Sequence, residues 1–227
     1  MINTNVVVLA GGAGKRLRSI TKNKIPKPLA KFKNKPFLDY LINYLVKFKF
    51  KKIYIITGHL GYQIKKKYHN KKLKNTMIKC IVEKKPMGTG GALNLVKKKI
   101  NRKFLLLNGD TLFKINLDLI NKINLNRNIG LCILTNQKKN TQTKKLLNLD
   151  IRKNKIITKK SSEYINSGTY FFSSKVFSYL STKKQSLEND ILKKLIYQKK
   201  LLGIKRKWLF IDIGTPKTFK IAKKILN

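Results

Sequence analysis

Only nine of the 227 residues are acidic, against 53 lysines and arginines, so each carboxylate in this chain invites the question of its work. Two of them, Asp110 in LLNGDT and Asp212 in FIDIGTP, each close a short apolar run. An aspartate there is often just a turn or cap residue. Two in equivalent places also suit a shared Mg2+, whose hard shell takes few protein carboxylates and leaves the rest to substrate phosphates and water. Cations that would face such phosphates are concentrated near the start of the chain. Gly11, Gly12 and Gly14 are followed by Lys15, Arg16 and Arg18, and Lys27 stands between Pro26 and Pro28 in a stiff extended segment. Backbone N–H groups bared by glycines, with fixed cations beside them, are what a polyphosphate requires.

The element that must hold this loop is the run Val6 to Leu9, apolar and mostly β-branched, which predicts a strand buried on both faces. Two common glycine-loop patterns do not fit. A Walker A loop needs glycine at position 9 and Ser or Thr after the lysine, where Leu9 and Arg16 stand. The G-x-G-x-x-G fingerprint would start at Gly12 and meets Leu17 at its third glycine.

Further strands are predicted over Ile53 to Thr57, Met77 to Val82 (ending at Glu83), Phe104 to Leu107 and Ile129 to Leu134. Between them, Phe37, Leu38, Leu41, Ile42, Leu45 and Phe48 repeat at helical spacing after Pro36. Tyr62 to His69 reads as a short basic helix, and another opens near Gly90. This alternation implies right-handed crossovers and an α/β fold, a doubly wound, mostly parallel Rossmann-like sheet with ligands at the carboxyl ends of its strands. The polar stretch 136–160 carries an expected inserted hairpin, Leu146 to Arg152 with Ile156 to Thr158. Tyr164 to Phe172 is a strand broken by Asn-Ser-Gly. Ser186 opens a helix, Leu201 to Lys205 and Trp208 to Ile211 are short strands, and a closing helix carries Phe219, Ile221, Ala222 and Ile225. The expectation is one domain over 1–227, with a nucleotide-binding half (1–135) and a sugar-binding, metal-completing half (136–227).

An apolar share of 42% fits a globular protein, and no apolar run reaches membrane-spanning length. MINTNVVV has no charged region and apolar core of the signal-peptide kind, so a cytoplasmic location is expected. Cys80 and Cys132 lie singly in apolar runs without metal-ligand spacing, as buried free thiols do. The net charge of +44 admits nucleic-acid binding. Its lysines, however, are spread over the whole chain among abundant Asn and Ile, all AT-rich codons, and no zinc-finger, helix-turn-helix or RNA-recognition pattern accompanies them. Neither a specific nucleic-acid partner nor a membrane is expected, and a homo-oligomer is left open.

The string L-A-G-G-x-G-x-R-L…P-K-P is more specific than any glycine turn. Together with E-x-x-P-x-G-T-x-G-A from Glu83, N-G-D, I-N-x-G-x-Y from Ile165 and D-I-G-T-P, in this order over nearly the whole chain, it resembles the sugar-phosphate nucleotidyltransferases, most of all their heptose 1-phosphate guanylyltransferase branch. The resemblance implies that a sugar 1-phosphate attacks the α-phosphorus of a nucleoside triphosphate, pyrophosphate leaves, and a nucleotide sugar for surface glycans forms. It implies Arg16 on the triphosphate, Lys27 between the two substrates, and Mg2+ on Asp110 and Asp212. Leu9, Ala10, Gly11, Gly12, Gly14, Lys15, Glu83, Gly88 and Thr89 would surround the nucleotide, and Asn108, Asn166 and Gly168 the sugar. A local reading stands beside two of these: Asn166 as a turn amide, and Glu83 as a loop cap or a partner of Lys84 or Lys85. Glu188 reads as a helix-start residue. The sequence departs from the family at Lys15, where Thr is usual. It also lacks the tyrosine-glycine pair before the hairpin, where Lys144 and Lys145 stand nearby, and the glutamate-lysine pair after it, replaced by Lys159, Lys160 and Ser161 with Glu163 displaced.

Overall fold

A computed structural model describes residues 4–136, 149–159 and 161–226. The first residues of the expected hairpin (146–148), Lys144, Lys145 and Lys160 lie outside the described residues.

Among the described residues fourteen strands follow in chain order: β1 Asn5–Ala10, β2 Lys31–Phe32, β3 Lys35–Pro36, β4 Lys52–Thr57, β5 Lys72–Leu73, β6 Thr76–Val82, β7 Phe104–Asn108, β8 Thr111–Phe113, β9 Gly130–Asn136, β10 Leu149–Arg152, β11 Lys155–Thr158, β12 Tyr164–Phe172, β13 Leu201–Arg206 and β14 Phe210–Asp212. Ten of them form one sheet in the order β10-β11-β13-β9-β12-β7-β1-β4-β6-β5. From β13 to β5 only β12 and the edge strand β5 run against the others. The mostly parallel, doubly wound sheet expected from the sequence is therefore present. The chain steps from β1 outward to β4 and β6, then returns to place β7 on β1's other side. That reversal is a topological switch point, where α/β sheets leave a crevice beyond the strand ends.

Pleating explains why β1 had to be apolar from Val6 to Ala10. Val6 and Val8 pack on one face with the helix Phe37–Val46 and the closing helix Pro216–Leu226, while Val7 faces Ala92, Leu93 and Val96 on the other. The helix after Pro36 stops at Val46, short of Phe48, which turns back to put its ring edge-on to Tyr44 at 5.2 Å. Pro36 stands just outside that helix, as its cap, and Trp208 and Leu209 precede β14. Lys153 and Asn154, both at positive φ, turn β10 into β11 as a two-residue hairpin loop requires. In β12, the Asn166–Tyr170 register shift against β9 is the irregularity that the polar Asn-Ser-Gly predicts. No described helix is long and apolar enough to cross a membrane.

Candidate active site

At the carboxyl ends of β1, β4, β6 and β7 the chain opens a cleft of about 580 Å3. Its walls include Leu9, Ala10, Gly11, Gly12, Lys27, Glu83, Gly88, Thr89, Asn108 and Asp110, ten residues that the sequence proposed from separate motifs. The glycine loop is held down by neighbours on both sides. Gly109 N–H donates to Leu9 C=O at 2.8 Å, and His59 N–H to Gly11 C=O at 3.3 Å. Gly14, at φ +60°, turns the chain into the short helix Lys15–Leu17, and a Cβ added to it would lie 3.3 Å from Lys27 Cβ. Lys15 and Arg16 are exposed; a Cβ on Gly214 would lie 3.5 Å from Arg16 Nη2, so that guanidinium reaches the loop after Asp212.

Two aspartates 102 positions apart meet through a second, two-stranded sheet. β14 pairs antiparallel with β8, setting Asp212 opposite Thr111, and Ile213 N–H donates to Asp110 C=O at 3.0 Å. Burial raises the Asp212 carboxyl above its ordinary range, and the nearby Asp110 charge adds to that. Gly214 N–H, Lys27 and the Thr218 hydroxyl, donating at 3.1 Å, pull it partly back. Lys27 forms an ion pair with Asp110, both side chains being largely shielded from solvent. Two crowded carboxylates countered by one ammonium make a site short of positive charge, and their hard oxygens suit a divalent cation with few protein ligands. Among the described residues no group of three or more His, Cys, Asp or Glu gathers as a metal cluster, so such a cation would take its remaining ligands from outside the chain.

Glu83 shares a tight corner with two glycines. Cβ atoms added to Gly11 or Gly58 would lie 2.5 Å and 3.1 Å from Glu83 Oε2, so neither position has room for a side chain. Its other oxygen accepts from Met87 N–H at 3.3 Å, and burial raises its pKa against that bond's pull. Thr89 lines the cleft, yet its hydroxyl donates to Glu188 at 3.0 Å and accepts Leu187 N–H at 2.8 Å. Glu188 thus ties the segment after Ser186 to the Gly88–Gly91 turn, beside the cap that Ser186 Oγ makes with Asn189 N–H. Gln185 C=O accepts from both Gly90 and Gly91.

The sugar-side candidates divide. Gly168, at φ +69°, sits against Asn108, whose Nδ2 would lie 2.5 Å from an added Cβ. Asn166 does not line the cleft: it is buried, donates to Tyr170 Oη at 2.6 Å and accepts Gly168 N–H at 3.0 Å. The sequence reading did not single out His59, Lys84, Lys184 or Ile56 among the lining residues. Lys184 had no readable signal, since it arrives only because its segment docks on the turn at residues 88–91.

The sequence pattern defining nucleotidyl transferases matches residues 5–227. The chain is 32% identical to the D-glycero-alpha-D-manno-heptose 1-phosphate guanylyltransferase of Aneurinibacillus thermoaerophilus, over 97% of each chain. It is 30% identical to the protein of the same name from Campylobacter jejuni, over 94% of this chain and 96% of that one. Its backbone superposes on HddC from Yersinia pseudotuberculosis, crystallised with GMP-PN, with TM-score 0.82 and 29% identity, covering 99% of this chain and all of that one.

Proposed function

This chain belongs to the nucleotidyl transferase family, and on that premise we propose that it joins a guanylyl group from GTP to a sugar 1-phosphate, with a heptose as the favoured sugar. An oxygen of the sugar phosphate bonds to the α-phosphorus, the bond from that phosphorus to the bridging oxygen breaks, and pyrophosphate leaves with the electron pair. The observation that carries this reading is a cleft lined by the glycine loop, Lys27 and Asp110, with Asp212 brought to Asp110 from outside the cleft lining by the pairing of β14 with β8. The guanine and heptose choices follow the names and the bound GMP-PN of the similar proteins.

Both substrates are polyanions, so the main task is to neutralise and align them. The N–H groups of Gly11, Gly12 and Gly14 would receive the phosphates, with Lys15 and Arg16 adding charge from the exposed side. Lys27, confined between two prolines, would swing its ammonium from Asp110 to oxygens of the sugar phosphate and the α-phosphate. Asp110 and Asp212 would hold Mg2+, which when bound withdraws charge from the phosphates as they react. Glu83, beside Gly11 in the cleft wall, would accept guanine N1–H and its exocyclic amine together, two donors that uracil and thymine do not present side by side. Asn108, with Gly168 backing it, would face the sugar.

Pyrophosphate release measured across GTP, UTP, dTTP and CTP, each with heptose and hexose 1-phosphates, tests this directly. GTP with a heptose 1-phosphate should turn over fastest. Equal or better turnover with UTP or dTTP would remove the guanine assignment, and no release from any pair would remove the activity.

A further inference from the structure

A second hollow, of about 570 Å3, is lined from the same strands β4 and β6 as the nucleotide cleft, with no lining residue in common. Along β4, Ile56 lines the cleft, while Tyr54 and Lys52, the preceding positions on that face, line the hollow. Along and just past β6 the same alternation puts Glu83 in the cleft and Ile81 and Lys79 in the hollow. The segment Ala92–Lys99 spans both, with Ala92 in the cleft and Lys99 in the hollow. Same-face residues on a strand are about 6.6–6.8 Å apart, so these are adjoining sites on one sheet face.

The chemistry of the hollow is one-sided. Lys52, Lys79, Lys99, His69 and Tyr54 line it, and no carboxylate does. None of the three lysines enters an ion pair among the described residues, and Lys79 bonds only the neutral Asn70 Oδ1, at 2.8 Å. His69 is clamped: its Nδ1 accepts Cys80 N–H at 3.0 Å, which leaves the neutral ring's proton on Nε2 as a fixed donor. Elsewhere on this highly basic chain lysines mostly face open water. Here three ammoniums surround a concave floor of Tyr54 and Ile81, where low-dielectric walls focus their potential. At a screening length of about 8 Å, charges across such a hollow still act together.

We propose that this hollow binds a small, multiply charged phosphate ester, held by Lys52, Lys79, Lys99 and His69, independently of the nucleotide cleft. The test is calorimetric titration of the full chain with fructose 1,6-bisphosphate, the cleft being saturated with GTP, at about 0.15 M salt. One equivalent should bind, and K52A/K79A/K99A should weaken it at least tenfold. Lys99→Ala alone, at an exposed position, should lose part of that affinity. A control triple with the same charge change, K33A/K153A/K223A, should bind as the unsubstituted chain does. No binding under GTP saturation would overturn the proposal, as would equal weakening in the control, which would mean a diffuse field instead of a site. A crystal soaked with tungstate should show the anion among the three lysines, and an anion found only in the nucleotide cleft would count against it.

Discussion

Strands β1, β4, β6 and β7 each hand the chain directly to a loop that lines the cleft, whereas among the described residues no strand from β10 onward does so. Of the described residues lining the cleft, Lys184 alone comes from beyond Asp110. The later part of the chain instead arrives by side contacts: Asp212 through β14 against β8, Gly168 against Asn108, and Gln185 on the Gly88–Gly91 turn. The first half therefore holds its chemistry close to its strand ends, and the second half works by where it is docked. Changes in the first half should alter charge and recognition directly; changes in the second should act largely through displacement, with Asp212 as the exception.

Asp110→Asn and Asp212→Asn put one change in each half at the same centre, and carry the largest expected effect. Each should lower kcat in a pyrophosphate-release assay by roughly 10²–10³, the cost of losing one contact to developing charge. A large loss from Asp110→Asn with almost none from Asp212→Asn would break the claim that the halves share a metal site.

Lys27→Ala should lower kcat/KM by about 10- to 100-fold, since charge-assisted hydrogen bonds contribute about 1.5–3 kcal/mol. Lys98→Ala, on the exposed side of the Ala92–Lys99 segment, should leave both constants unchanged. Equal effects from both would mean that the first half acts through its overall field and not through an aimed ammonium. Next, Glu83→Gln should erode the preference for GTP over UTP by roughly 1–3 kcal/mol while sparing the metal dependence. An unchanged ratio of the two kcat/KM values would assign Glu83 to holding its loop alone.

Gly168→Ala sharpens the contrast at the level of stability. The alanine must adopt φ +69° and crowd Asn108, so urea denaturation should show a loss of about 1–3 kcal/mol, with a raised sugar-phosphate KM. Gly12→Ala, in the first half, meets nothing within 4 Å and should change stability by less than about 0.5 kcal/mol. Equal stability losses would contradict the docked character of the second half.

The smallest effect is a slope. Asp212 holds its proton more tightly folded than unfolded, through burial and the facing Asp110. From the ordinary aspartate range up to the raised folded value, the unfolded chain has lost a proton that the folded chain keeps. Stability of the metal-free protein should therefore fall as pH rises through that window. Urea midpoints measured in chelator should show the decline, and Asp110→Asn, which removes the like charge, should flatten it. A slope unchanged in Asp110→Asn would mean that burial alone sets the shift and that the halves do not couple there.

Much of the fold could be read in advance because its cues are local. Val6 to Leu9 had to be buried on both faces, Gly14 marked a turn, Ser186 a cap, and Lys153-Asn154-Lys155 a hairpin corner, of which Lys155 already belongs to β11. Element ends were less legible: Phe48 keeps helical spacing yet lies past the helix, because a packed aromatic pair satisfies its ring as well as another turn would. Asn166 shows the harder limit. Its block of residues reads as polar and functional, but whether its amide meets a ligand or Tyr170 depends on a side chain four positions on that the bulge brings round.

The amino-acid sequence by itself determined the strand-loop units of the first half, the family to which the chain belongs and the residue types able to handle phosphates, since hydrophobic period, glycine placement and cation spacing act over a few residues. Tertiary structure alone decided that Asp110 and Asp212 crowd one another, that Lys27 pairs with Asp110, that Glu83 sits in a corner too tight for side chains at Gly11 and Gly58, and that three lysines surround a second hollow. These depend on strand order and pairing between residues far apart in the chain, where burial and charge proximity exist only after the sheet has closed.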